Sequence, residues 1–394
     1  MLQAIFLFFC LLLIGTQSST QPQTPRSQNT IMRIHLQQAS TWLASTLASS
    51  GVLTIGKNEA HAVGFFDSYN KKYSVKLPLY KYDGVLCTVY ELNNVKMQAI
   101  VDTGSPFLVV PSVCTREWGC LSKQQLGRFT QTNLEDTIEI FGGQNYESEW
   151  KVGDRVMIGD VELKEVVFPL VGEDVLRPPG GVFMGLIKYK SNDIRPTFLS
   201  QTNFSCIRLN LPDQTLELTS EHLIGKKEDA ISLLDLRNDG DPVRHYTALI
   251  KELYINGKRI GPDKTLYAVF DTGTSGCVLQ DELFNDYETP NPPREIKVIL
   301  ESEEGNEVVL LASARSRKNV FVVTASDIGW FKYQRGDCIR RDRNPTCKKI
   351  KSDKERPLVV VIGTAFLEDR TLTIDADQNR LLLSPETAYK GMYY

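Results

Sequence analysis

This chain has no excess of either charge, little histidine, and no long apolar run after its first residues. Its 45 Lys and Arg residues nearly balance 48 Asp and Glu, for a net charge of -3 over 394 residues. A field that weak does not gather nucleic acid, so no nucleic-acid partner is expected. The four histidines, His35, His61, His222 and His245, stand apart from any cysteine cluster, and no His-Glu-x-x-His helix occurs, so the usual signature of a catalytic zinc site is missing. Gly51 to Lys57 nearly matches a phosphate-binding loop. Asn58, however, stands where a magnesium-binding Ser or Thr belongs, and no strand-then-helix context surrounds it. Gly273-Thr274-Ser275-Gly276-Cys277 likewise ends in Cys where a serine nucleophile elbow needs Gly. No metal and no cofactor are expected.

The one long apolar run, Met1 to Ile14, ends in the small and polar residues Gly15 to Ser19 and reads as a secretory signal over residues 1–18. It is short for a membrane span, and no later segment could supply one, so no span is expected after signal removal. Residues 19–75 are rich in Ser, Thr and Gln, with a helical stretch from Ile31 to Leu47 that stops at Gly51. They read as a propeptide; a linker or an extra helix kept in the mature protein is the other reading. In an oxidising lumen closely spaced cysteines close, so Cys114 with Cys120 and Cys338 with Cys347 are expected as local disulfides. Cys10 leaves with the signal. Cys87, Cys206 and Cys277 are then an odd set, so at least one is a free thiol or pairs with another chain. Asn203-Phe204-Ser205 is a glycosylation sequon at the start of an apolar run.

From about Tyr73 the pattern is one of short β-rich runs broken by turn residues, which predicts an all-β fold. Two runs, Val89 to Leu92 and Val95 to Val101, flank the turn Asn93-Asn94 and lead straight into Asp102. Glu252 to Ile255 and Lys258 to Ile260 flank Asn256-Gly257, a type I′ hairpin signal, and a further strand leads into Asp271. Each aspartate opens the tripeptide Asp-Thr-Gly: Asp102-Thr103-Gly104 and Asp271-Thr272-Gly273. Each tripeptide is followed by a hydroxyl residue, Ser105 or Thr274. A later apolar run ending in Gly also recurs, at Gly185 and Gly363, 83 and 92 positions after the respective aspartates. The chain therefore reads as an internal duplication whose halves meet near Glu221 to Asp229.

A carboxylate in such a loop is held by its neighbours. Gly permits the tight backbone path, and the following Ser or Thr hydroxyl can donate to the carboxyl oxygen. If the two loops meet, Asp102 and Asp271 cannot both ionise, and one proton is shared between them. One carboxylate is then a base while the other is an acid. Such a pair can activate water and protonate a carbonyl oxygen without a metal or a covalent intermediate.

Ile100 to Ser112 followed by Cys114 and Cys120, Phe270 to Ser275, and Val361 to Leu367 with Ile374-Asp375 closely resemble the pepsin-like aspartic proteases. The resemblance covers the chain from about Tyr80 to Pro385. It implies a bilobal fold of two β-barrel-like lobes, here 76–222 and 223–394, with one catalytic Asp in each and a cleft for an extended polypeptide between them. It also implies Thr103 and Thr272 bonding across the interface and a removable propeptide in which a basic side chain blocks the pair; Lys71, Lys72 and Lys76 lie near the expected junction, with a solvated turn as the other reading of that cluster. An acidic optimum, a monomeric state, and a secreted or acidic-organelle location follow. A family member has a flap hairpin whose tip Tyr bonds a Trp seven residues after the first Asp. The matching positions are Phe141, ahead of Gly142 and Gly143, and Val109, with Tyr146 as the other candidate tip. The Phe-Asp-Gly expected before the first apolar-Gly element is Gly180-Gly181-Val182 here. An inactive homologue that keeps the cleft for binding peptide or protein ligands is the alternative reading.

Overall fold

In a computed structural model of the chain, the described residues are 73–385 apart from 83–84, 115–117, 120, 133, 135–136, 142–143, 173–181, 191–194, 240, 242, 281–282, 284–294, 314–321, 326–337, 342–343 and 348–357. All of them belong to one compact unit, Asn70–Tyr394. The signal segment, most of the expected propeptide, Lys71 and Lys72 lie outside the described residues.

The expectation of β structure holds: the described residues are mostly strand in three sheets, with a single four-residue α-helix among them, Lys123–Leu126, capped by Ser122. Among the described residues no helix is long and apolar enough to cross a membrane. Alternation explains the outer strands. Ser74–Pro78 points Val75 and Leu77 inward and its other three residues out. Leu358–Ile362, by contrast, is buried at every position, as a continuous Leu-Val-Val-Val-Ile run requires of a strand covered on both faces.

Both predicted hairpins form. Val85–Leu92 pairs antiparallel with Val95–Asp102, and Thr247–Ile255 with Lys258–Ile260. Their turns are left-handed at both central residues, with φ of 48° and 68° at Asn93 and Asn94 and 48° and 78° at Asn256 and Gly257. Asn and Gly are the residues that tolerate this conformation, whose twist matches that of the strands it joins.

The repeat extends into three dimensions. Phe183–Gly185 runs parallel to Val95–Asp102, with Gly185 opposite Asp102. Leu358–Ile362 runs parallel to Leu266–Phe270, with Ile362 opposite Phe270. In both halves the apolar-Gly element is thus the strand beside the one that delivers the aspartate. A side chain at either glycine would strike backbone: a Cβ on Gly185 would lie 2.5 Å from the Phe107 nitrogen, and one on Gly363 2.3 Å from the Thr274 oxygen.

The six-stranded sheet joins the halves. Its order is Ser74–Pro78, Thr215–Thr219, Cys206–Asn210, Arg370–Asp375, Arg380–Pro385, Ile231–Ser232. Each half gives one hairpin and one outer strand, and Cys206–Asn210 against Arg370–Asp375 forms the central seam. The first strand begins at Ser74, so the last two residues of the expected propeptide segment, Ser74 and Val75, pair with Thr219 and Leu218. Residues 220–230 link Thr215–Thr219 to Ile231–Ser232. Within this link His222 Nδ1 lies 2.8 Å from Asp375 Oδ2.

Cys87, Cys206 and Cys277 are free and buried, and burial pushes their thiols up to about 11, 12 and 12 respectively. Thiols held that far from the thiolate are inert at ordinary pH. Cys338 and Cys347 face one another as the first pair of a hairpin between Cys338–Arg341 and Asn344–Cys347, a register suited to the expected bridge. Cys114 is disulfide-bonded; Cys120, its expected partner, lies outside the described residues. Asn203 of the sequon is exposed, while Phe204 and Ser205 are buried.

Candidate active site

Each Asp-Thr-Gly loop leaves a buried strand and turns back on itself. In the first, Gly104 N donates to Asp102 Oδ1 at 2.7 Å, and Ser105 Oγ donates to Asp102 Oδ2. In the second, Gly273 N donates to Asp271 Oδ1 at 2.8 Å, and Thr274 Oγ1 donates to Asp271 Oδ2 at 2.9 Å. Every carboxylate oxygen therefore has a donor from its own loop, which fixes the plane of each carboxyl group before any ligand arrives.

The two loops, 169 residues apart, are brought together. A Cβ on Gly104 would lie 2.4 Å from Asp271 Cγ, and one on Gly273 would lie 2.6 Å from Asp102 Cγ. Each carboxyl group rests against the opposite loop's glycine, which is why no larger residue fits at either position. Beneath them, Thr103 N donates to Thr272 Oγ1 at 3.1 Å, and Thr272 N donates to Thr103 Oγ1 at 3.0 Å. The hydroxyls pass their own protons across as well, Thr103 Oγ1 to the Phe270 carbonyl at 2.9 Å and Thr272 Oγ1 to that of Val101 at 2.7 Å. Both threonines are fully buried, so all four groups have to be satisfied inside the protein.

Symmetry is incomplete. Asp102 is buried, whereas Asp271, Gly273 and Thr274 are half-buried. The second loop is the more open to solvent.

The expected flap falls on the hairpin of Thr137–Phe141 with Gln144–Ile158. Phe141 and Gln144 form the last pair, on either side of Gly142 and Gly143, while Tyr146 lies opposite Glu139 inside the second strand. The pairing therefore puts the tip beside Phe141 and not at Tyr146. Gly142, Gly143 and the side chains of 135–146 lie outside the described residues. Farther down the same strand Trp150 is buried and meets Phe107 edge to face, with ring centroids 5.0 Å apart. That contact ties the hairpin to the segment after Asp102. Val109 is buried too, and its N–H donates to the Phe183 carbonyl at 2.8 Å. Trp150 was not singled out in the sequence; its signal was only an apolar residue in an alternating run.

A buried, hydrogen-bonded Asp241–His245 pair lies just ahead of the strand Thr247–Ile255. Asp241 accepts from the amides of Val243 and His245, and His245 Nδ1 sits 2.8 Å from Asp241 Oδ1. Burial pushes the Asp241 carboxyl up, and His245 opposes the shift. His245 thus serves the fold. Lys76 is an exposed strand residue opposite Glu217. Among the described residues no group of three His, Cys, Asp or Glu side chains is placed to hold a metal.

The arrangement presents two carboxyl groups side by side, with orientations set by their loops and a common backbone support. No protein-family model matches the chain, and no curated protein matches it.

Proposed function

We propose that the protein is a pepsin-like aspartic endopeptidase that hydrolyses peptide bonds with Asp102 and Asp271. The observation that carries this reading is the apposition of the two Asp-Thr-Gly loops, each glycine against the other loop's carboxyl group. The mechanism uses the pair with one proton between its two carboxyl groups. A water bound to both loses a proton to the ionised partner while its oxygen forms a bond to the peptide carbonyl carbon. The proton on the other partner passes to the carbonyl oxygen, giving a neutral tetrahedral diol. In the collapse of the diol one hydroxyl gives its proton to the ionised carboxylate as the C–N bond breaks and the other carboxyl group protonates the departing nitrogen, leaving one proton on the pair.

The bilobal arrangement, 76–222 and 223–394, belongs to the same proposal. It is supported by the recurrence of hairpin, strand, loop and parallel apolar-Gly strand, and by the matched strand order of the six-stranded sheet. One chain supplies both aspartates, so a monomer suffices. The apolar N-terminal run supports a secretory route, and Lys71 and Lys72 near the expected junction support a zymogen that opens in acid.

The test uses acid-treated protein, its Asp102→Asn variant and a statine-type transition-state inhibitor against an unfolded protein, with cuts mapped by mass spectrometry. Cleavage in the acidic range that the variant or the inhibitor abolishes is the expected result. No cleavage at any acidic pH overturns the peptidase. Inhibitor binding without cleavage would favour the inactive peptide-binding homologue, which the Phe141 and Val109 departures already suggest as the second reading.

A further inference from the structure

We infer that Tyr246 is a positioning residue for the Asp102 and Asp271 pair, tying the backbone under one loop to the backbone under the other through its buried hydroxyl. The inference rests on the peptidase reading and names a residue outside both motifs.

The path can be followed atom by atom. Leu186 N donates to the Asp102 carbonyl at 2.8 Å. Tyr246 Oη donates to the Leu186 carbonyl at 2.6 Å. Phe270 N, one residue before Asp271, donates to the Tyr246 carbonyl at 3.0 Å. Thr103 Oγ1 then donates to the Phe270 carbonyl at 2.9 Å, and Thr103 is covalently joined to Asp102. These bonds close a ring that contains the first aspartate and the residue preceding the second. Two links in this ring run through side-chain hydroxyls, those of Tyr246 and Thr103, and each can be removed by a change of one atom. The matching place in the first half, one residue before Cys87 opposite Ile100, is Leu86, which has no hydroxyl to offer. The tie is therefore made on one side only.

Tyr246 is almost completely buried, so its hydroxyl gains its partner in a water-poor setting where a hydrogen bond constrains strongly. The titratable groups acting on it are Cys206, Tyr189 and Asp377, with the Lys188 backbone beside it. A plain structural tyrosine would lower stability when its hydroxyl is removed and change nothing else. A positioning tyrosine also changes chemistry, because a shift of about 1 Å in a reacting group costs on the order of 100-fold in rate. It also alters the pH profile, because proton sharing depends on the separation of the pair.

The experiment compares Tyr246→Phe with Tyr90→Phe on the full chain. Tyr90 is also fully buried, and its hydroxyl has no partner, so it controls for loss of a buried phenol oxygen. For Tyr246→Phe the expected result is a kcat lower by about 10-fold with KM within two-fold, and a shifted pH–rate profile. Tyr90→Phe should behave as wild type. Unchanged kcat and pH limbs in Tyr246→Phe overturn the inference. A second arm does not need activity. If the ring is one unit, the urea midpoint of Tyr246→Phe with Thr103→Val should fall by less than the sum of the single variants. Additive losses overturn the ring even if the enzyme is active. A wild type that cleaves nothing defeats the peptidase reading, while non-additivity would still support the tie.

Discussion

Thr103 and Thr272 each accept the other's backbone N–H, at 3.1 and 3.0 Å, and each donates its hydroxyl to the strand that carries the other. Four bonds among fully buried groups hold the loops in register. Replacing Thr272 by Val keeps the shape and deletes the oxygen, leaving the Thr103 amide and the Val101 carbonyl buried without partners. Each such group costs about 1–3 kcal/mol, so Thr272→Val should lose roughly 2–6 kcal/mol in urea unfolding. Thr272→Ser, which retains the oxygen, should lose much less.

Gly104 and Gly273 leave no room for a methyl group. A Cβ at either position comes within 2.4 to 2.6 Å of the opposite carboxyl carbon. Gly273→Ala should therefore displace Asp102 and lower kcat by on the order of 100-fold, with peptide cleavage as the readout. A variant that keeps full activity would mean the carboxyl groups are not apposed in the working protein.

Ser105 and Thr274 donate to Oδ2 of Asp102 and of Asp271 respectively. A hydrogen bond to a charged group is worth about 1.5–3 kcal/mol, and the first is the more deeply buried. Ser105→Ala should accordingly reduce kcat/KM more than Thr274→Ala does. Equal losses would indicate that the difference in burial between the loops has no bearing on the chemistry.

Hydrogen bonding from Arg237 holds the Asp235 carboxyl below its usual range, with Arg237 Nε 2.8 Å from Oδ1 and a second contact to Oδ2. A depressed carboxylate contributes stability that is fully present above the unfolded value of about 3.9 and is lost as pH falls through the lower folded value. Asp235→Asn should lower the urea midpoint at pH 7 and still at pH 5. Its curve should rejoin that of wild type only in stronger acid. Convergence at pH 5 or above would contradict the pairing.

Cys87, Cys206 and Cys277 should resist a thiol reagent in the native state at pH 8, since burial places all three thiols at about 11 to 12. In denaturant without reductant, mature protein should release three reactive thiols if both expected disulfides have formed. Five would mean that one bridge is open.

Much of the site was legible along the chain because its bonds are local. Gly104 and Ser105 reach Asp102 from two and three residues away, so the tripeptide and its following hydroxyl suffice to specify how a carboxylate is held. The turns Asn93-Asn94 and Asn256-Gly257 were readable for a similar reason, as few residues accept left-handed backbone. The register of the flap was less legible, because Phe141 and Tyr146 stand on either side of Gly142-Gly143 and only pairing across the hairpin separates them.

What residue order settled, then, was the chemistry of each loop taken alone: an oriented aspartate at the end of a buried strand, twice. Folding decided that the two face each other, because the contacts responsible join residues some 169 positions apart and depend on two parallel strands and a shared sheet. Folding also recruited Trp150 and Tyr246, whose local sequence carries no motif. An aromatic residue acquires such a role only from what tertiary packing sets against it, here the Phe107 ring and the Leu186 carbonyl.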